Sequence, residues 1–437
     1  MRRRLGLASR VRSVTFVRHR PLAVAAFALA TLLGCGGPAP GPTITVQGRV
    51  EAPVVGPLAN VLVHLQGQLT ATAADGTFLI EDVTVPYTVT IGAAGSEPWV
   101  HAFEGLTTPT PVLVPRVATT AGFYTVLRGD VSGGAQLPDD EMVLVCVEGV
   151  EVPVLGCGRA DGGATAYAAF VAWTGATAVS VRVHALRMRV TPAGWPTAYL
   201  GRTSYAPMTL IHLVEAERNV VPIGPMGAIV DVQGAVTVAG GGALELVVVG
   251  VPVSDALSLP VYRGPWPSGE TTIAVPDYGG DGFHVAAHGA FGDQKASAWA
   301  AFAAGEAFEL SLSAPPVPVS PAADAPGVTA ATPFTVLADA AVARQFHWDP
   351  TITGSAPEVT LTTASTTAYL PDVAALGMSL VVGNNYFWDV TSIDAADLTT
   401  ATRVAGVDGF AFGMGGPGPE TRAGTAAGEA RRFTLAP

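Results

Sequence analysis

The chain predicts an all-β protein of tandem β-sandwich domains, and three observations carry that prediction. Apolar residues alternate with period two along most segments: Val61, Val63 and Leu65 share one face, as do Val143, Val145 and Val147. The 51 glycines and 35 prolines fall between these runs at turn-like intervals, and no long amphipathic helix is visible. An apolar-x-Gly-x-Val pattern recurs at Val46-Gln47-Gly48-Arg49-Val50, Leu127-Arg128-Gly129-Asp130-Val131 and Val232-Gln233-Gly234-Ala235-Val236, each the opening strand of a domain. A length of 437 residues leaves room for three or four domains. With 49% hydrophobic and 13% charged residues, the chain can bury substantial cores and is not disordered as a whole.

Residues 1–34 read as an export signal. Seven arginines and no acid (Arg2, Arg3, Arg4, Arg10, Arg12, Arg18, Arg20) precede the apolar run Pro21 to Leu33, which is too short for a mature membrane span. The run closes on Leu32-Leu33-Gly34-Cys35, which resembles the lipobox of bacterial lipoproteins. That resemblance implies cleavage between Gly34 and Cys35, and a diacylglycerol and an N-acyl chain such as palmitate on Cys35. Each buried CH₂ contributes roughly 0.8 kcal/mol, so one acyl chain anchors marginally and two or more anchor stably. A plain secretory signal is the alternative, and Arg2-Arg3 hints at twin-arginine export. Residues 35–42 then form a Gly/Pro tether, and seven such residues reach at most about 25 Å. Gly36 is not the aspartate of the best-known inner-membrane retention rule, so the resemblance favours the outer membrane, with either leaflet open.

Residues 43–117 resemble the carboxypeptidase regulatory-like domain, a small transthyretin-like sandwich. The likeness rests on Val46 to Val50, on Pro57-Leu58-Ala59-Asn60-Val61-Leu62-Val63, and on Asp75-Gly76-Thr77-Phe78-Leu79-Ile80. Asp75-Gly76 makes the tight turn before the strand that sends Phe78 and Ile80 inward. Such domains are non-catalytic appendages, so the likeness implies no active site.

Residues 118–222 and 223–313 read as a duplicated β-sandwich. At a fixed offset of 104, Glu141 matches Glu245, Val143 matches Val247, His184 matches His288 and Trp195 matches Trp299. The first copy carries Cys146 and Cys157 on two strands of one hairpin, an even pair once Cys35 is lipidated in an oxidising compartment. A bridge closing so short a loop contributes about 3 kcal/mol on the chain-entropy model.

Residues 314–437 resemble a fibronectin type III domain. Phe346-His347-Trp348 falls on a central strand, Ala368-Tyr369-Leu370-Pro371 and Asn385 to Val390 on later strands, and Arg432 to Leu435 on the last. The departure is an insertion at 394–430, rich in Gly, Ala and Thr, whose composition favours disorder over function.

The charge excludes some partners. Losing the seven signal arginines takes the formal net charge from −12 to −19, and no basic patch is visible for nucleic acid. Asp277, Asp281, His284 and His288 are the candidate metal ligands. On a strand the two histidines stand roughly 13 Å apart at ~3.3 Å per residue, too far for one ion. The loop also lacks the spacing of a calcium loop, so an Asp-Gly turn with surface histidines is the simpler reading. Trp195 and Trp299 are candidates for stacking on sugar rings, against a shared role in the fold. Arg128-Gly129-Asp130 spells an integrin tripeptide but lies inside a strand pattern. No G-x-S-x-G elbow, Ser/His/Asp grouping or phosphate-cradling loop is legible.

These observations point to a non-enzymatic cell-envelope lipoprotein without cofactors, a surface scaffold or adhesion module for protein or polysaccharide. An accessory structural subunit of an outer-membrane complex is the alternative, and a metal-dependent or other envelope enzyme is the third. Cys35→Ala is expected to abolish membrane retention while leaving the domains folded. Detergent-phase partitioning checks this, and a mutant that stays in the detergent phase refutes the lipid anchor.

Overall fold

The computed structural model describes residues 42–52, 56–116, 122–152, 154–221, 223–254, 257–267, 269, 271–279, 282–337, 339–351, 356–406 and 423–437. Gly34, Cys35, Asp281 and residues 407–422 of the insertion lie outside them. The described residues form an all-β protein of several packed sheets, as the alternation predicts.

One sheet of fourteen strands organises the molecule. It runs from Leu257–Gly264 through Ala243–Ser254, Gly282–Phe291 and Gln294–Ala303 to Ala423–Ala427. It continues through Asn385–Asp394, Ala343–Pro350 and Glu358–Thr363 to Trp99–Leu106, Tyr87–Ala93, Leu62–Leu65 and Gln68–Ala71. Strands from 43–117, 223–313 and 314–437 are therefore hydrogen-bonded edge to edge. Two joins do this. Glu358–Thr363 pairs in parallel with Trp99–Leu106, placing Thr360 opposite His101. Ala423–Ala427 lies antiparallel between Gln294–Ala303 and Asn385–Asp394.

Alternation then assigns each core to a face. Val100, Val359, Trp348 and Trp388 form one row across four strands and lie under the sheet of Pro318–Ser320, Phe334–Val336 and Thr367–Ala368. Further along the same face, Ala426, Ala296 and Val285 lie under Ile229–Val238, Thr271–Pro276 and Phe308–Leu312. The opposite face buries Val63, Leu65, Val89, Ile91 and Phe103 under Thr43–Ala52, Thr77–Thr84 and Val112–Leu113. Residues 122–217 form a separate nine-stranded sheet that curls around its own core of Leu127, Val143, Val145, Val171, Trp173, Val181 and Val183. Outward residues Met142, Cys146, Leu186 and Met188 of that sheet join the core cluster of the 223–313 unit.

The recurrent glycine of the opening strands has a steric cause. A Cβ on Gly48 would stand 2.2 Å from the Phe78 ring, and one on Gly234 would stand 2.4 Å from the Phe308 ring. These two strands let an aromatic ring lie across the backbone, and at Gly129 of the other opening strand a Cβ would stand 1.9 Å from the Arg218 carbonyl oxygen.

Two expectations change. The flanks of the insertion are folded: Leu398–Val404 is a helix capped by the Asp397 carboxylate, and Ala401 and Val404 are buried in the core beside Ile91 and Phe103. Thr402 donates its hydroxyl to the Val112 carbonyl at 2.9 Å. Small alanines and a threonine pack tightly there because the space between sheet and helix is narrow. The gapless offset also fails within the repeats. Cys146 stands opposite His184, whereas its counterpart Gly250 stands opposite His284, so strand register equates His184 with His284 rather than His288.

Polar groups are buried at the parallel join. His101, Thr360, His347 and Asp389 form one row across the strands. His347 Nε2 meets Glu358 Oε1 at 2.7 Å, its Nδ1 meets Asp389 Oδ2 at 3.1 Å, and Arg116 approaches the other Asp389 oxygen at 3.6 Å. Burial opposes the charged ring, but the hydrogen bonds to Asp389 and Glu358 outweigh it and raise the His347 pKa above the usual 6.5. Burial likewise opposes both carboxylates, yet His347 holds Glu358 and Asp389 below their usual 4.5 and 3.8. His101, fully buried, is held well below 6.5 by burial first and then by His347 and Arg116. It accepts the Arg116 N–H at Nδ1 and donates from Nε2 to Thr362.

The signs fix a pH window. His347 stabilises fully below about pH 6.5 and loses that contribution as pH rises through its raised value. Glu358 and Asp389 stabilise fully above about pH 4.5 and lose it as pH falls through their lowered values. Thermal melts are expected to show this contribution at its fullest between those limits. His347→Ala takes the imidazole from two partly buried carboxylates, leaving Asp389 only Arg116 at 3.6 Å, and is expected to cost about 2 kcal/mol or more. A melting profile that His347→Ala leaves unchanged between pH 5 and 9 refutes the clamp.

Candidate functional site

Cys146 and Cys157 face each other in the ladder of Glu141–Gly149 with Cys157–Ala160 and form a disulfide, with Cα atoms 4.1 Å apart. The described metal candidates, Asp277, His284 and His288, each pair locally. Asp277 accepts the Gly279 N–H at 2.7 Å in a local turn, and its carbonyl accepts from Arg202, whose guanidinium lies 4.3 Å from the Tyr278 ring centre. His284 Nδ1 pairs with Ser258 at 3.0 Å and His288 Nδ1 with Ser297 at 2.8 Å. Among the described residues no group of three or more His, Cys, Asp or Glu is placed to hold a metal ion.

Of the two candidate platform tryptophans, Trp299 is withdrawn. Trp299 is 2% exposed, buried beside Val248, Ala286 and Ala423 in the core cluster that also holds the helix residues Ala401 and Val404. A buried indole offers no face to a sugar. Trp195 is half-buried in the turn before Pro196–Ser204, close to Gly264 of the next unit.

The exposed rings are elsewhere, at one end of the 122–217 sheet. Tyr124 and Phe170 lie on the outer side of paired strands, 5.5 Å apart and 27° from parallel. His212 meets Tyr124 edge-on at 5.1 Å and Phe123 at 5.3 Å. The turn beside them exposes Ile211, Leu213 and Val214 to 47%, 67% and 52%, with Phe170 at 59% and Tyr124 at 41%. Leu213 has φ +59°, a left-handed conformation that costs a non-glycine residue about 1–2 kcal/mol. It is held there by its N–H to the Tyr124 carbonyl at 3.0 Å, while Thr125 Oγ1 donates to the Val214 carbonyl at 2.6 Å. A strained turn that presents a leucine to solvent, next to exposed rings, has the character of a contact surface.

A second cluster joins residues far apart in sequence. His184 Nε2 meets Glu148 Oε2 at 2.9 Å and its Nδ1 meets Ser204 Oγ at 2.8 Å. Arg182 also approaches Glu148, at 3.7 Å. Burial lowers the His184 pKa against the pull of Glu148, so the ring is neutral. Glu148 is depressed below 4.5, because hydrogen bonds from Ser254 and His184 and the Arg182 charge outweigh its burial. A cavity of about 280 Å³ lined by Ala298, Leu310, Ser311, Asp394 and Ala395 touches neither cluster.

The chain matches no protein-family profile and no curated protein. Among solved structures, the crystal structure of the chicken CNTN1 FN1-FN3 domains aligns with 72% of this chain and 99% of its own, at 7% identity and a TM-score of 0.18. The strand ladders, not that likeness, carry the assignment to tandem β-sandwiches.

Sequence reasoning missed both clusters for one reason. Tyr124, Phe170 and Leu213 sit on period-two runs or in a turn, and only the curling of the sheet gathers them. Thiol labelling of denatured, non-reduced protein is expected to find Cys146 and Cys157 protected. Reduction is expected to destabilise the 118–222 unit by about 2–4 kcal/mol; labelling of both residues before reduction refutes the staple.

Proposed function

We propose that this protein is a lipid-anchored scaffold of the bacterial envelope that docks a protein or polysaccharide through the Tyr124–Phe170–Leu213 surface. The observation that carries the reading is that exposed patch, five large apolar side chains gathered around one strained turn. The packing of Met142, Cys146, Leu186 and Met188 into the core of the 223–313 unit supports it, because a buried contact holds the unit that carries the docking surface in place. The anchor at Cys35 and the outer-membrane address rest on the lipobox resemblance. Among the described residues no helix is long and apolar enough to cross a membrane.

The same observations support an accessory structural role within an envelope complex, since a rigid frame serves either purpose. Affinity purification from native membranes and a glycan array separate protein from polysaccharide partners. Phe170→Ala and Leu213→Asp are expected to reduce capture at least tenfold while changing stability by about 0.5 kcal/mol or less, as exposed sites do. Undiminished capture by both variants refutes the docking surface.

A further inference from the structure

We propose that Ser204, His184 and Glu148 form an acyl-transfer site for short-chain acyl esters, with Ser204 as the nucleophile. The three side chains project from the same face of three adjacent strands, Glu141–Gly149, Ala178–Val190 and Pro196–Ser204. His184 stands directly opposite Ser204 in the ladder, and opposite Cys146, two residues before Glu148. The fold thus makes a continuous hydrogen-bonded chain from hydroxyl to ring to carboxylate, at 2.8 and 2.9 Å.

The tautomer follows from the partners. An ionised carboxylate only accepts, so His184 donates from Nε2–H to Glu148. The neutral ring then offers Nδ1 as acceptor for the Ser204 O–H, the arrangement a general base needs. Burial differs along the chain in the useful direction. Glu148 is 6% and His184 3% exposed, whereas Ser204, last residue of the sheet's end strand, is exposed. The base is therefore held in place beside a serine on an exposed residue. The disulfide at Cys146 braces the strand that carries Glu148.

The reaction balances without any cofactor. Ser204 Oγ attacks the ester carbonyl carbon as its proton passes to His184 Nδ1, and Glu148 stabilises the resulting imidazolium. The tetrahedral adduct collapses with cleavage of the bond to the alcohol oxygen, and the alcohol leaves with the proton from Nδ1. Water then attacks acyl-Ser204 and gives a proton to Nδ1; the bond from the acyl carbon to Oγ breaks, Oγ takes the proton back from Nδ1, and the carboxylic acid and free Ser204 are released. Ester and water become acid and alcohol. A site at an exposed strand end suits acyl groups carried on a large or extended molecule.

The test uses the full folded chain with a fluorophosphonate probe and p-nitrophenyl acetate. Labelling of Ser204, located by peptide mass spectrometry, and its loss in Ser204→Ala are the expected results. Glu148→Gln is expected to slow acetate release about 10²-fold and to move the pH inflection down, since the imidazolium loses its carboxylate and faces Arg182 as its only near charge. Melting curves check that each variant is folded. Three outcomes overturn the proposal: no labelling of the folded wild type above that of denatured protein, equal labelling in Ser204→Ala, or a rate and pH profile that a folded Glu148→Gln leaves unchanged.

Discussion

The constraint on which the molecule depends is that a strand edge must not be left open. A β-sandwich of the 43–117 or 314–437 kind exposes two edges per sheet, each a row of unpaired N–H and C=O groups. Here the inner edges are paired with one another, and the large sheet ends on Leu257–Gly264 and Gln68–Ala71. Trp99–Leu106 takes Glu358–Thr363 as its parallel neighbour, and Ala423–Ala427 fills the gap between Gln294–Ala303 and Asn385–Asp394. The 43–117, 223–313 and 314–437 units consequently share backbone hydrogen bonds as well as side-chain contacts.

Joining edges in this way buries polar rows that an isolated sandwich would leave in water. The sheet face around His347 had to be satisfied internally, and it is, by Glu358, Asp389, Arg116 and Thr362 acting as one network. On the opposite face the indoles of Trp348 and Trp388 have no conventional acceptor, but Phe334 meets both rings near the perpendicular, at 81° and 77°. Near-perpendicular ring pairs of this kind have favourable quadrupole geometry. The same economy recurs at His184, His284 and His288, each with a serine at Nδ1. What separates them chemically is where the serine stands: Ser258 is fully buried, whereas Ser204 is exposed.

The exposed patch arises within the separate 122–217 sheet. The 122–217 sheet curls until strands from both ends of the unit share one core, and its end strands finish in a turn at 211–214 that the Tyr124 backbone fastens. Fastening the turn in a left-handed conformation keeps Leu213 out of the core. Phe170 and Tyr124 complete the patch beside it.

How much was legible follows from what is local. Period-two alternation, the Gly/Pro spacing and the opening-strand motif are local, so the all-β class could be read from residues alone. So could the hairpin of Cys146 with Cys157, because the partners lie within one loop. Pairing between strands distant in sequence depends on edge complementarity, for which composition carries no signal. That is why the join of 99–106 with 358–363, the folding of the 394–430 flanks, the burial of Trp299 and the meeting of Glu148, His184 and Ser204 could be decided only by the tertiary structure. The sequence determined which residues would alternate and turn; the closing of sheet edges determined which of them would meet.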